Sequence, residues 1–159
     1  MLPLLLALAL QTTPVAPIVK GTALPPPASE EAEVLAPITA LFAAITTRDA
    51  TTVEPLLLPG GAAIIATEKP DGSRSITRTP WPQLLARFTP GAERLEERMR
   101  SPAIEIDGDI AMVWGDYVFL IDGKVHHCGV DHFDMVRENG AWKIANVSWT
   151  SRTTGCPAQ

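Results

Sequence analysis

Residues 98–152 read RMRSPAIEIDGDIAMVWGDYVFLIDGKVHHCGVDHFDMVRENGAWKIANVSWTSR. A period of two runs through most of the stretch, as expected of half-buried strands. Three strand-like runs follow one another: Ala103–Ile121, Val125–Arg137 and Trp142–Arg152. Asp107-Gly108, Asp122-Gly123 and Asn139-Gly140 punctuate them. The last two fall between runs and suit two-residue hairpin turns, whose central residues need positive φ. The result is a β-meander carrying Trp114, Tyr117, Phe119, Phe133, Trp142, Trp149 and Cys128, with Cys156 just after it.

Upstream of the meander, Glu93–Arg100 alternates in part, with Leu95 and Met99 apolar among Glu and Arg; it reads as a charged helix or an edge strand, and Ser101-Pro102, leading straight into the next run, favours the strand. Thr79-Pro80-Trp81-Pro82 opens a short helix, Trp81–Phe88, whose apolar face is Leu84, Leu85 and Phe88. Ala62–Thr67 and Ser73–Thr79 read as short strands around the turn residues Glu68-Lys69-Pro70-Asp71-Gly72. Asp49 can cap a second helix, Ala50–Leu57, which Pro55 shortens and Pro59-Gly60-Gly61 stops. The first helix is expected to start at Ser29 as N-cap, with Glu30, Glu31 and Glu33 where the helix dipole favours acids. Its apolar stripe is Val34, Leu35, Ile38, Leu41, Phe42 and Ile45; Pro37 interrupts it, and Arg48-Asp49 ends it. Helix–helix–strand–strand–helix, then three or four meander strands, is an α+β order. Helices then lie on one face of a curved antiparallel sheet.

The chain has 159 residues, 46% hydrophobic and 19% charged, enough to bury one core. Its net charge of −5 provides no basic field for nucleic acid. Leu2–Leu10 is an apolar run too short to span a membrane. It fits the hydrophobic part of a secretory signal at residues 1–10, with Ala7-Leu8-Ala9 as cleavage site, although no Lys or Arg precedes it. Residues 11–28 form a proline-rich linker and 29–159 the domain. Export to the periplasm or beyond makes a disulfide between Cys128 and Cys156, the only cysteines, the expected pairing. It would close a loop of roughly thirty residues, worth about 3.5 kcal/mol on the chain-entropy model.

Asp107-Gly108-Asp109-Ile110-Ala111-Met112-Val113-Trp114-Gly115-Asp116-Tyr117 resembles a strand of the nuclear transport factor 2-like superfamily. His127-Cys128-Gly129-Val130-Asp131-His132-Phe133, Val136-Arg137, Gly140 and Trp142-Lys143-Ile144 resemble its closing hairpin. The likeness covers roughly residues 30–156, and Arg152-Thr153-Thr154-Gly155-Cys156 resembles exported bacterial members labelled SnoaL-like or lumazine-binding. It implies a cone-shaped α+β roll (cystatin-like), with a curved antiparallel sheet and N-terminal helices enclosing a mostly apolar pocket. The superfold hosts isomerases, cyclases, epoxide hydrolases, carriers and homodimer modules, so the fold does not choose the function.

On the strand through His126–Asp134, His126, Cys128, Val130, His132 and Asp134 share one face; His127, Asp131 and Phe133 share the other. An Asp or His aimed into an apolar pocket can act as general acid or base, which makes Asp131 and His132 the candidates and Tyr117 the candidate oxyanion donor. The competing reading is that Asp131 and His132 only make structural hydrogen bonds. Trp114, Tyr117, Phe133 and Trp149 are the expected pocket wall, with plain core packing as the alternative. A metal is not expected: His132 lies roughly 13 Å along the strand from Cys128, and a disulfide would consume Cys128. No nucleotide fingerprint or nucleophile motif is present and no cofactor is expected. The leading reading is a small-molecule-binding or interaction domain whose ligand is apolar or aromatic. The alternatives are a cofactor-independent isomerase or lyase and a structural homodimer.

Overall fold

A computed structural model describes residues 28–157. The expected signal at 1–10 and the linker up to residue 27 lie outside the described residues. Helix α1 (Ala28–Thr47) already contains Ser29, so that residue lies inside the helix and not at its N-cap. The helix runs straight through Pro37, which is buried beside Val34, Ile38 and Leu41. Burial of that stripe offsets the backbone hydrogen bond the proline removes. Arg48 ends it with φ 57°, a left-handed conformation unusual for a residue with a side chain. Asp49 then caps α2 (Ala50–Val53) by accepting a hydrogen bond from the Thr51 N–H. Pro55 tightens the next residues, Glu54–Leu56, into a single 3-10 turn.

Six strands make one sheet in the order β2-β1-β6-β5-β4-β3. They are β1 (Ala62–Glu68), β2 (Arg74–Pro80), β3 (Leu95–Asp107), β4 (Ile110–Ile121), β5 (Lys124–Glu138) and β6 (Ala141–Arg152), with α3 (Trp81–Leu85) between β2 and β3. The expected run Ala103–Ile121 is two strands: Gly108, at φ 58°, turns the chain back so that Asp107 pairs with Ile110. The alternation continues on both sides of that turn, which hides it. Asp122-Gly123 and Asn139-Gly140 have positive φ at both positions, as two-residue hairpins demand. Every pairing is antiparallel except β1 with β6, which run parallel with Ala63 opposite Val147.

Register shifts at Arg100/Ala103, Phe119/Leu120 and Asp134/Met135 break the ladders of the three longest pairings. Such bulges add local twist and bend a sheet. At the first, Ser101 (φ 44°) and Pro102 sit on β3, an edge strand where a missing N–H breaks no second ladder. The concave side takes the core: Val34, Ile38, Leu41 and Ala44 of α1 pack on Val113, Phe133, Met135, Ile144 and Val147. A smaller cluster of Val118, Leu120 and Cys128 lies on the outer face. There the Cys128–Cys156 disulfide, with Cα atoms 5.6 Å apart, holds the C-terminal tail against β5. Among the described residues no helix is long and apolar enough to cross a membrane.

Candidate functional site

Between α1, α3 and the concave face of the sheet lies a cavity of about 260 Å³. Leu41 and Ile45 line it from α1, Leu84 and Phe88 from α3 and the residues after it, and Leu95, Phe119, Phe133, Val147 and Trp149 from the sheet. Alternation places each one: Tyr117 and Phe119 on β4, and His127, Asp131 and Phe133 on β5, are the inward positions of their strands. Arg48 and Arg87 also line the cavity, and Arg48 is committed elsewhere. The Arg48 guanidinium donates to the Thr89 and Glu93 carbonyls at 3.1 and 2.9 Å, and the exposed Arg87 reaches Thr79 Oγ1 at 3.4 Å.

The polar centre of the cavity is a pair of carboxyl groups. Asp131 is 2% exposed, and one of its oxygens, Oδ2, is buried without a hydrogen-bond partner. Glu97 of β3 also lines the cavity and is in hydrogen-bonding contact with Asp131, although β4 lies between their strands. Two carboxyls can make that contact only if one carries a proton. Burial raises the Asp131 pKa first, and the charge and hydrogen bond of Glu97 raise it further. Burial raises Glu97 as well, against the lowering effect of its bond to Asp131. The pair therefore titrates as one unit and resists losing its last proton at neutral pH.

Tyr117 and His127, the other titratable groups beside the pair, are neutral. The Tyr117 hydroxyl donates to the Thr150 carbonyl at 2.9 Å, and burial together with the charges of Asp131 and Glu97 holds its pKa well above the usual range. That carbonyl lies over β5 because Gly129 has no side chain: a Cβ there would collide with the Thr150 oxygen. Thr150 Oγ1 in turn accepts from the Val130 N–H at 2.9 Å. His127 stacks on Phe119 at 4.8 Å, and burial, then the neighbouring His126, push its pKa down to about 4.

Of the residues singled out from sequence, Tyr117, Asp131, Phe133 and Trp149 come together on the cavity wall. Trp114 and His132 do not. They face each other across β4 and β5 on the outer side, with ring centroids 5.7 Å apart, and Trp114 is 40% exposed. His132 Nε2 there lies 3.5 Å from Asp134 and its Nδ1 3.4 Å from Ser148 Oγ. The reason is parity: Trp114 and Tyr117 on β4, like His132 and Asp131 on β5, are an odd number of residues apart and point to opposite faces. Sequence reasoning misses Glu97. Leu95 and Met99 flank it at a spacing of two, a pattern that turns it inward on a strand. Cys128 is bridged, and among the described residues no three His, Cys, Asp or Glu side chains gather as a metal site.

Residues 29–150 match the family model described as "Putative lumazine-binding". The chain belongs to this family. No curated protein matches the chain, but many solved structures share its fold. One is a nuclear transport factor 2-like protein with a cystatin-like fold from Novosphingobium aromaticivorans, 13% identical with TM-score 0.61 over 82% of this chain and 85% of that one. Another is a cystatin-like protein of unknown function from Nostoc punctiforme, 12% identical with TM-score 0.60 over 80% and 95%. A third, from Streptomyces avermitilis, is described as a "putative dehydratase" of the nuclear transport factor 2-like family; it is 16% identical with TM-score 0.56 over 77% and 95%. At these identities the likeness establishes the nuclear transport factor 2-like fold of the domain, and the site must speak for the chemistry.

Proposed function

We propose that this domain is an exported binding protein for a small, mostly apolar or aromatic molecule held in the cavity beneath α1 and α3. The observation that carries this reading is the cavity itself: apolar walls around one buried carboxyl oxygen that no protein group satisfies. Small-molecule sites have this composition, a large apolar surface with a few placed polar atoms. Export is supported by the disulfide and by the apolar run at the N-terminus. Native mass spectrometry of protein purified from an exporting host tests the reading. A noncovalent adduct lost when Phe133 or Trp149 is changed to Ala is expected; protein that takes up no apolar probe at millimolar concentration would refute it.

A second reading, a cofactor-independent isomerase or lyase, is favoured by the same carboxyl pair. An Asp131–Glu97 unit with one proton can take a proton from a substrate carbon or return it. Asp131 would be the base. His132 lies outside the cavity, and Tyr117 could serve as donor only by leaving the Thr150 carbonyl. The dehydratase description of the Streptomyces protein is compatible with such chemistry in that protein. A homodimer through the outer sheet face is a further proposal, suggested by Ile64, Met112 and Trp114, each 37–40% exposed. Sedimentation at micromolar concentration decides it, a monomer excluding the dimer.

A further inference from the structure

We propose that the cavity selects ligands carrying a basic nitrogen, an apolar amine whose ammonium group docks on Glu97 and Asp131. This rests on the small-molecule reading above and names its substrate class. Three observations converge on it. Asp131 is buried and leaves Oδ2 without a partner, so the site has an unmet need for a donor. Glu97 meets Asp131 from another strand, so the pair presents up to four acceptor oxygens and at most a proton or two of its own. Among the described residues neither carboxylate has an ion-pair partner.

The other charged or titratable groups around the pair do not fill this role. Tyr117 of β4 spends its hydrogen on Thr150, and His127 of β5 stays neutral. Arg48 of α1 is bonded to the Thr89 and Glu93 carbonyls, and Arg87 beyond α3 is exposed. Arg152 of β6 acts on Tyr117 only through its charge. A pair that keeps a single proton carries one negative charge in a mostly apolar chamber. An ammonium group satisfies that charge and the orphaned oxygen together, while Leu41, Ile45, Phe88, Phe133 and Trp149 cover the rest of the ligand. A neutral carbonyl ligand would require the pair to donate, and a carboxylate ligand would meet repulsion.

The full domain is titrated by calorimetry with three matched probes: 1-naphthylmethylamine, 1-naphthylmethanol and 1-naphthoate. At pH 7 the amine is expected to bind at least about tenfold tighter than the alcohol, with the naphthoate weakest. Its affinity should rise from pH 5 to pH 8 as the pair gives up the first of its two protons and gains its single negative charge. In Glu97→Gln and Asp131→Asn the preference for amine over alcohol should fall below about threefold while alcohol binding persists. Alcohol or naphthoate binding as tightly as the amine, affinity falling with pH, or a preference unchanged in both variants would overturn the inference and leave the small-molecule reading standing. If none of the three binds, both fail.

Discussion

The Asp131–Glu97 pair makes a stability prediction with an unusual sign. The perturbation is the double substitution Glu97→Gln and Asp131→Asn, which keeps shape and hydrogen bonding but removes both titrations. Carboxylates that folding favours have depressed pKa values and stabilise a protein as pH rises. Here both pKa values are raised, so the folded state retains a proton the unfolded chain gives up near the ordinary Asp value of 3.8. Stability from this pair is therefore greatest in acid and is lost as pH rises through the raised range. Each retained proton gives a slope of about 1.4 kcal/mol per pH unit, hence about 3 kcal/mol between pH 5 and pH 7 for one. For a domain of this size that is roughly 6–12 °C in Tm. Denaturant melts of wild type and double variant at each pH provide the assay, with the difference between the two proteins cancelling the other carboxylates. The variant should gain on the wild type steadily over that interval. Parallel stability curves would refute the proton-sharing pair.

Gly129→Ala should destabilise the domain by about 2–4 kcal/mol, because the new Cβ drives away the Thr150 carbonyl and with it the Tyr117 hydrogen bond; thermal melts check this, and an unchanged Tm would contradict the close approach. Reducing the Cys128–Cys156 bridge should cost about 3 kcal/mol in urea melts yet leave probe binding in the cavity intact, since the bridge lies on the outer face of the sheet. His127, with its pKa pushed down to about 4, should show no ring titration by NMR between pH 5.5 and 8. A midpoint near 6.5 would mean that the ring is solvated.

Much of this architecture is legible in local chemistry. The hairpins follow from Asp-Gly and Asn-Gly, and α1 from its stripe, because turn conformation and helical period are properties of neighbouring residues. Alternation alone also separates His127, Asp131 and Phe133 from His132. The same rule applied to β4 separates Trp114 from Tyr117, whereas aromatic character alone groups both in the pocket. Two features have no local signature. The parallel pairing of β1 with β6 joins segments with most of the domain between them, and the meeting of Glu97 with Asp131 needs the bent sheet to bring β3 over β5. Leu95-x-Glu97-x-Met99 marks Glu97 as inward, but nothing beside it in the chain marks its partner.

The parallel β1–β6 contact also bears on how the protein folds. β1 is an early strand, yet its inner neighbour is the last one, with Glu68 lying opposite Arg152. β1 and β2 have a sheet to join only once β6 is in place. Pairings over such separations carry a large loop-closure entropy and form late and slowly. Docking of the β1–β2 hairpin on β6 is therefore expected as the closing step of the sheet.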